Sequence, residues 1–226
     1  MPASFYALKQ SAQQRATRHY GGRGRLVKRC EKCQLSYDWC ICATLQPMDC
    51  ELDFIILFHR DELFKPTNTG KLIADCFPLQ TECYQWSRTE PPLALLQRLQ
   101  DPQRDHFILY PNEQPERQTL HQLPPQASQS KRRQTLIILD GTWRQSRRMF
   151  NASRWLANFP ALALAPIEGS NYHTRVAAYQ HYLSTAESVA LALAQQGQVE
   201  SAEHLQSTFE RFNRHYLAMK QNRQGE

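Results

Sequence analysis

Short runs of apolar and β-branched residues punctuate the chain. Residues 53–58 (DFIILF), 106–110 (HFILY) and 135–139 (TLIIL) show no alternation with polar positions, so each reads as a strand buried on both faces. Residues 79–84 and 161–165 (ALALA) predict two further strands. Helical patterns separate these runs. TNTG at 67–70 opens a short helix through about residue 76, and Pro91 or Pro92 starts one over 91–99. A helix studded with arginines begins at Trp143 and runs to about residue 157. Another is capped near Ser184-Thr185, with Glu187 spaced from Ser184 as in a capping box, and a last one covers 199–220. Residues 115–131, rich in Gln, Pro and Ser, read as a loop. Strands alternating with helices predict a three-layer α/β fold on a parallel sheet.

The strand at 135–139 stops at Asp140-Gly141-Thr142, and the arginine-bearing helix follows at once. A carboxylate at the carboxyl end of a buried strand, just before a helix N-terminus, stands where open α/β sheets bind ligands. The plainer alternative is that Asp140 only caps the helix behind it. Backbone N–H groups at the 67–70 helix start are a second place to hold a carboxylate or phosphate.

Charge sharpens this picture. The chain has 226 residues, 41% of them hydrophobic, and a formal net charge of +6, enough for one sizeable core and a polyanionic partner. Lys9, Arg15, Arg18, Arg23, Arg25, Lys28, Arg29 and Lys32 cluster near the N-terminus. Lys131, Arg132, Arg133, Arg144, Arg147, Arg148 and Arg154 surround Asp140. One such run is commonly a solvated face; two, with one beside a candidate site, favour nucleic acid. Residues 1–29 read mainly as a flexible basic arm, with a short helix at its start as an option. No apolar run approaches transmembrane length and no leader-type segment is seen, so the expected compartment is the cytoplasm.

Seven cysteines in such a compartment point to metal or reduced thiols. Cys30, Cys33, Cys40 and Cys42 form a C-x2-C-x6-C-x-C cluster whose thiolates can close a tetrahedral site. Structural zinc is the expected occupant; an iron–sulfur cluster and plain buried thiols are the alternatives. A closed four-thiolate site leaves no position for substrate, so its role is structural or RNA-facing. Cys50, Cys76 and Cys83 are dispersed and read as small buried hydrophobes. A G-x-G-x-x-G after the first strand, a Walker loop, deaminase zinc spacing and a G-x-S-x-G elbow are all missing from the sequence.

Several motifs then agree in order. The cysteine cluster precedes HRDELFKPTNTG at 59–70, Leu109-Tyr110-Pro111, DGTW at 140–143 and Leu183-Ser184-Thr185-Ala186-Glu187. Over roughly residues 28–197 the chain closely resembles the bacterial DTW-domain tRNA-uridine aminocarboxypropyltransferases. His59-Arg60 stands where His-Pro is frequent, and Ser188 follows Glu187 where Ala is usual; neither change removes a charged or capping group.

The resemblance implies a fold related to the SPOUT methyltransferases, with a C-terminal trefoil knot, behind a small N-terminal zinc module. It divides the chain into the basic arm (1–29), the zinc module (30–50) and a catalytic domain (51–226). It implies that S-adenosylmethionine donates its aminocarboxypropyl group to N3 of a uridine in the tRNA variable loop, releasing methylthioadenosine. Asp140, with Thr142 and Trp143, is then the catalytic group, Asp140 accepting the N3 proton. Asn68, Thr69, Gly70, Tyr110, Pro111, Ser184, Thr185 and Glu187 hold the co-substrate. Arg23, Arg25, Lys65, Arg144, Arg147, Arg148 and Arg175 contact RNA, Arg175 having the cofactor carboxylate as its alternative. Trp143 either stacks on a base or packs behind the loop. The expected protein is a monomer bound to tRNA and to no membrane. The competing readings are a SPOUT-type RNA methyltransferase and a non-catalytic, zinc-containing RNA-binding protein.

Overall fold

The computed structural model describes residues 4–15, 27–112, 114–125, 132–164 and 183–221. Helix α1 (Phe5–Arg15) comes first, then a cysteine-bearing segment with two 3-10 turns, Tyr37–Trp39 and Cys42–Thr44. Strands β1 (Asp53–Phe58), β2 (Thr81–Gln85) and β3 (Arg104–Leu109) are separated by helices α2 (Gly70–Cys76) and α3 (Leu93–Leu99). Strand β4 (Thr119–Leu120), strand β5 (Arg133–Asp140), helix α4 (Trp143–Ala152) and strand β6 (Ala161–Leu162) follow. Helices α5 (Thr185–Gln195) and α6 (Val199–Gln221) end the described chain.

The six strands form one sheet in the order β2-β1-β5-β3-β6-β4. Every pairing is parallel. The unbroken apolar runs have a direct cause: β1 is buried along its whole length and β5 at all but its first residue. Alternate residues feed two cores. Phe54, Ile56, Phe58, Leu136 and Ile138 pack beneath α1, α2, α5 and α6, while Ile55, Leu57, Ile137 and Leu139 pack beneath α3 and α4. The layered α/β expectation therefore holds. Asp53, the charged residue opening β1, is held by Arg104 and by Arg133, whose Nη2 lies 2.9 Å from Oδ1.

Three stretches differ from the expectation. Within the supposed loop at 115–131, Thr119–Leu120 pairs with β6; two half-buried residues at a sheet edge leave no periodicity to read. The arginine helix stops at Ala152, and Arg154–Leu156 continues as a 3-10 turn. In the stretch read as a basic arm, α1 docks onto the sheet. Phe5 is 1% exposed and meets Phe58 at 5.1 Å between ring centroids. The Tyr6 hydroxyl donates to Asp75 Oδ1 at 2.5 Å. The glutamines and Arg15 of this helix face outward and mask its apolar side in the sequence.

The cysteine segment shares the same core through Cys33, Leu35 and Ile41. It is pinned along α6: Arg211 donates to the Thr44 carbonyl at 3.0 Å, His215 Nδ1 lies 3.0 Å from the Trp39 carbonyl, and Met219 Sδ accepts from the Ser36 N–H at 3.3 Å. Cys50, Cys76 and Cys83 are buried. Residues 165–182, between β6 and α5, lie outside the described residues, as do Arg23, Arg25 and Arg175. Among the described residues, no helix is long and apolar enough to cross a membrane.

Truncating the docking side chain of α1 tests its place in the fold. Phe5→Ala is expected to lower the free energy of unfolding by about 3–5 kcal/mol in urea denaturation; a change below about 0.5 kcal/mol, as at a surface position, would contradict a core role.

Candidate active site at the carboxyl edge of the sheet

The central strand β5 ends at Asp140, directly across from Phe58, the last residue of β1. The ladder runs one step further, the His59 N–H donating to the Asp140 carbonyl at 2.9 Å. Beyond it the chain folds through successive turns, Glu62 N to His59 O, Lys65 N to Glu62 O and Asn68 N to Lys65 O. Those turns deliver Asn68 to the Asp140 carboxylate. The Asn68 side chain uses both ends: Oδ1 accepts from the Lys71 N–H at 3.0 Å and Nδ2 donates to Asp140 Oδ2. The backbone donor fixes which end of the amide faces the carboxylate.

A second donor comes from the far end of the chain. Thr185, first residue of α5, donates its hydroxyl to Asp140 Oδ1 at 2.7 Å. Its neighbours Ser184 and Glu187 are committed to each other: the Ser184 N–H donates to Glu187 Oε2 at 2.9 Å, and the Glu187 N–H to Ser184 Oγ at 3.3 Å. That capping box aims Thr185 at the strand end. Gly70 completes the enclosure. A Cβ there would lie 2.9 Å from Asp140 Oδ1 and 3.0 Å from Phe58 Cε1, so only glycine lets α2 start against the carboxylate.

Asp140 is 3% exposed, and burial pushes its carboxyl up to about 6, against the hydrogen bonds from Thr185 and Asn68, which pull it down. It does not cap the next helix. Thr142 does, in a reciprocal box with Gln145. The carboxylate is thus free of any duty to α4 and ties together β5, the 59–69 loop and the start of α5.

On the other face of the sheet edge, three rings form a column. Trp143, half exposed, stacks on Tyr110 at 5.5 Å between centroids with planes 14° apart, and Tyr110 stacks on Phe150 at 4.3 Å. The Arg117 guanidinium lies over the far side of Phe150 at 4.3 Å from its centroid. Packing behind the loop and presenting an aromatic surface are therefore combined in Trp143. Arg144, Arg147 and Arg148 project from α4 and are exposed. Lys65 is paired with Glu62 at 2.5 Å beside the Asn68 loop.

The sequence reading missed Lys71 and His59. Lys71 is fully buried, with Nζ donating to the Pro66 carbonyl at 2.8 Å and sitting 4.6 Å above the Phe212 ring. Burial pushes its ammonium down to about 7. A lysine in the first turn of a helix reads as solvated, and only the packing of α6 over α2 conceals it. His59 stacks on Trp86 at 6.1 Å with planes 21° apart. It lies within the HRDELFKPTNTG motif at 59–70, but nothing local distinguishes it from a loop residue.

The four clustered cysteines come together as the spacing predicts. Their sulfur atoms all lie within 4.8 Å of one another, with Cys30–Cys42 at 3.5 Å and Cys33–Cys40 at 3.7 Å. Thiolates arranged tetrahedrally around zinc, each about 2.3 Å from the ion, sit about 3.8 Å apart, so the cluster can hold a metal ion. Gln34, in the left-handed region at φ 65°, makes the tight turn after the first pair, and its side chain donates to the Glu31 carbonyl at 2.6 Å.

The buried carboxylate gives a direct test of the site. Because folding raises its pKa, the folded chain retains the Asp140 proton to higher pH than the unfolded one. Stability is accordingly highest below about 4 in this group's contribution and falls as pH rises through about 6. Carboxyl carbon NMR of Asp140 is expected to show a titration midpoint about two units above that of a solvated aspartate; an ordinary midpoint would mean the enclosure is not maintained in solution.

No solved structure matches the chain. The family model described as the DTW domain matches residues 27–217, a span that takes in the cysteine cluster, the Asp140 edge and most of α6. The chain therefore belongs to the DTW-domain family, a family associated with tRNA modification.

Proposed function

We propose that this chain transfers the 3-amino-3-carboxypropyl group of S-adenosylmethionine to N3 of a uridine in the variable loop of tRNA. The observation that carries the reading is the Asp140 clamp at the carboxyl edge of the sheet, built from the same motifs that carry the family resemblance. S-adenosylmethionine would supply an electrophilic methylene carbon beside its sulfonium, and methylthioadenosine would leave as a neutral thioether without needing an acid.

The chain's task is orientation. The aminocarboxypropyl carbon, not the methyl, must face the attacking nitrogen, and a preorganised site achieves that alignment. Backbone groups at Asn68-Thr69-Gly70 and Tyr110-Pro111, with the start of α5, would hold the adenosine and methionine parts around Asp140. The buried carboxylate suits a cationic ligand, since a positive charge nearby would favour its ionised form. The Trp143–Tyr110 stack would receive a planar base. Arg144, Arg147 and Arg148 would bind tRNA phosphates, giving position and salt-sensitive affinity and not sequence choice.

Zinc is the proposed occupant of the cysteine cluster. With it bound, the Cys30–Cys42 segment would be fastened against α6 and would extend the RNA face with Lys28 and Lys32, which are exposed. Elemental analysis is expected to find one zinc ion per chain, and chelation to lower the melting temperature. Iron, or no metal in protein prepared without chelators, would contradict this assignment.

Incubating the protein with unmodified tRNA and S-adenosylmethionine is expected to yield methylthioadenosine and a uridine heavier by the aminocarboxypropyl group, read by mass spectrometry. A methylated nucleoside with S-adenosylhomocysteine would make the chain a methyltransferase, and tRNA binding without a new nucleoside would make it a binding protein. Asp140→Ala strips Asn68 and Thr185 of their shared acceptor, and a displaced site should lose about 100-fold or more in kcat.

A further inference from the structure

Asp140 carries its charge without a cation to balance it. Among the described residues, no lysine, arginine or histidine forms an ion pair with it. The charged groups that act on it are Glu62, which raises its carboxyl, and Lys65, which lowers it, and those two pair with each other at 2.5 Å on the 59–69 loop. On β2 the Cys83 thiol is buried nearby. On α2 the Lys71 ammonium is turned to the Pro66 carbonyl, and on α5 the Glu187 carboxylate accepts from the Ser184 N–H. Two neutral dipoles therefore hold the carboxylate, the Asn68 amide and the Thr185 hydroxyl. A buried charge so placed favours a ligand that brings a cation.

The two dipoles differ in what they leave for that ligand. Asn68 is 3% exposed and has both ends of its amide engaged. Thr185 is half-buried at the first position of α5. A hydroxyl has one hydrogen and two acceptor lone pairs. The Thr185 hydrogen goes to Asp140 Oδ1 at 2.7 Å, so the oxygen has only lone pairs left to offer. Donation to a carboxylate also polarises the O–H bond and makes its oxygen a stronger acceptor. Ser184 and Glu187 do not compete for it, being bonded to each other. An acceptor-only hydroxyl backed by a buried negative charge fits a group that donates hydrogen bonds and is positive.

S-adenosylmethionine has two positive groups, and they meet this arrangement differently. The sulfonium has no hydrogen to donate. Its charge also disappears as the C–S bond breaks, so a carboxylate acting on it would stabilise the bound co-substrate more than the transition state and slow the step. The α-ammonium has three hydrogens, and its charge is unchanged through the transfer. Holding it fixes the far end of the three-carbon arm whose near carbon is attacked.

We propose that Thr185 Oγ, backed by Asp140, receives the α-ammonium of the aminocarboxypropyl arm and so helps decide which carbon of S-adenosylmethionine is presented. The proposal rests on the transferase reading. Methylthioadenosine lacks the arm and leaves Asp140 unbalanced again, which favours its release over that of the co-substrate. At an effective dielectric of about 20, a cation one hydroxyl away from a carboxylate favours the ionised form about 100-fold. Burial raises the Asp140 carboxyl to about 6, so in the free chain it is largely protonated at pH 5 and gives up that proton when the ammonium arrives.

The experiment is calorimetric titration of the wild-type protein at pH 5 and pH 7, in buffers of different ionisation enthalpy. Three ligands are compared: S-adenosylmethionine, S-adenosylhomocysteine, which keeps the ammonium and lacks the sulfonium, and methylthioadenosine, which has neither. The first two should each release most of one proton at pH 5 and bind about tenfold more weakly there than at pH 7. Methylthioadenosine should release none and bind alike at both. Thr185→Val should weaken the first two about tenfold at pH 7 and spare methylthioadenosine, and Thr185→Ser should restore them. Proton release with S-adenosylmethionine alone would put the sulfonium at the clamp. Release with all three ligands, or with none, would show that no cation of the arm acts on Asp140. A Thr185→Val loss equal for all three would make that residue merely structural. Each of these results overturns the proposal. Aminocarboxypropyl transfer to tRNA without the proton release would refute this proposal alone, whereas a methylated nucleoside would refute the transferase reading on which it rests.

Discussion

The site depends on a carboxylate that the protein has removed from water. Asp140 closes the central strand, and its two oxygens bind an amide from the loop after β1 and a hydroxyl from the start of α5. Those donors lie 72 and 45 residues away along the chain. An unpartnered buried carboxylate would be costly, so Asn68 and Thr185 are held to their places by the charge they satisfy. The same contact makes Gly70 obligatory, because α2 must begin where a side chain would strike Asp140 or Phe58.

The rest of the first face buttresses that contact. Lys71 follows Gly70 and spends its buried ammonium on the Pro66 carbonyl, bracing the turn that carries Asn68. Tyr6 from α1 holds Asp75 from α2, and Phe5 packs on Phe58 beneath the site. The second face serves a different purpose. Its edge carries the exposed arginines of α4, the Trp143–Tyr110 stack and the His59–Trp86 pair, all outside the sealed pocket. The sheet edge thus has a sealed carboxylate on one side and, on the other, the exposed arginines and half-exposed Trp143 that α4 carries.

Much of this was legible before any coordinates. The unbroken runs at 53–58 and 135–139 predicted a parallel sheet because strands covered on both faces have no polar face to show. The capping box of Ser184 and Glu187 and the grouping of four cysteines were local in sequence and emerged as read. What escaped depends on packing between distant segments. Asn68 was read for its backbone, yet its side chain makes the tie, because only the sheet register brings residue 140 beside it. Lys71 and Lys9 read as ordinary surface cations, yet α6 packs over Lys71 and the docking of α1 carries Lys9 inward. The enclosure of Asp140 by Asn68, Gly70 and Thr185 is a tertiary fact with no signal of its own in the sequence. The stacking of His59 was hidden in the same way, since its partner Trp86 follows a different strand, β2.

The central claim is that the carboxyl edge around Asp140 holds S-adenosylmethionine. Titrating that ligand into isotopically labelled protein and following backbone amide resonances tests it most directly. The account predicts shifts concentrated at Asn68–Lys71, around Tyr110 and Gly141, and at Ser184–Glu187, with the cysteine segment unaffected. Shifts centred elsewhere, or none at saturating ligand, would contradict it.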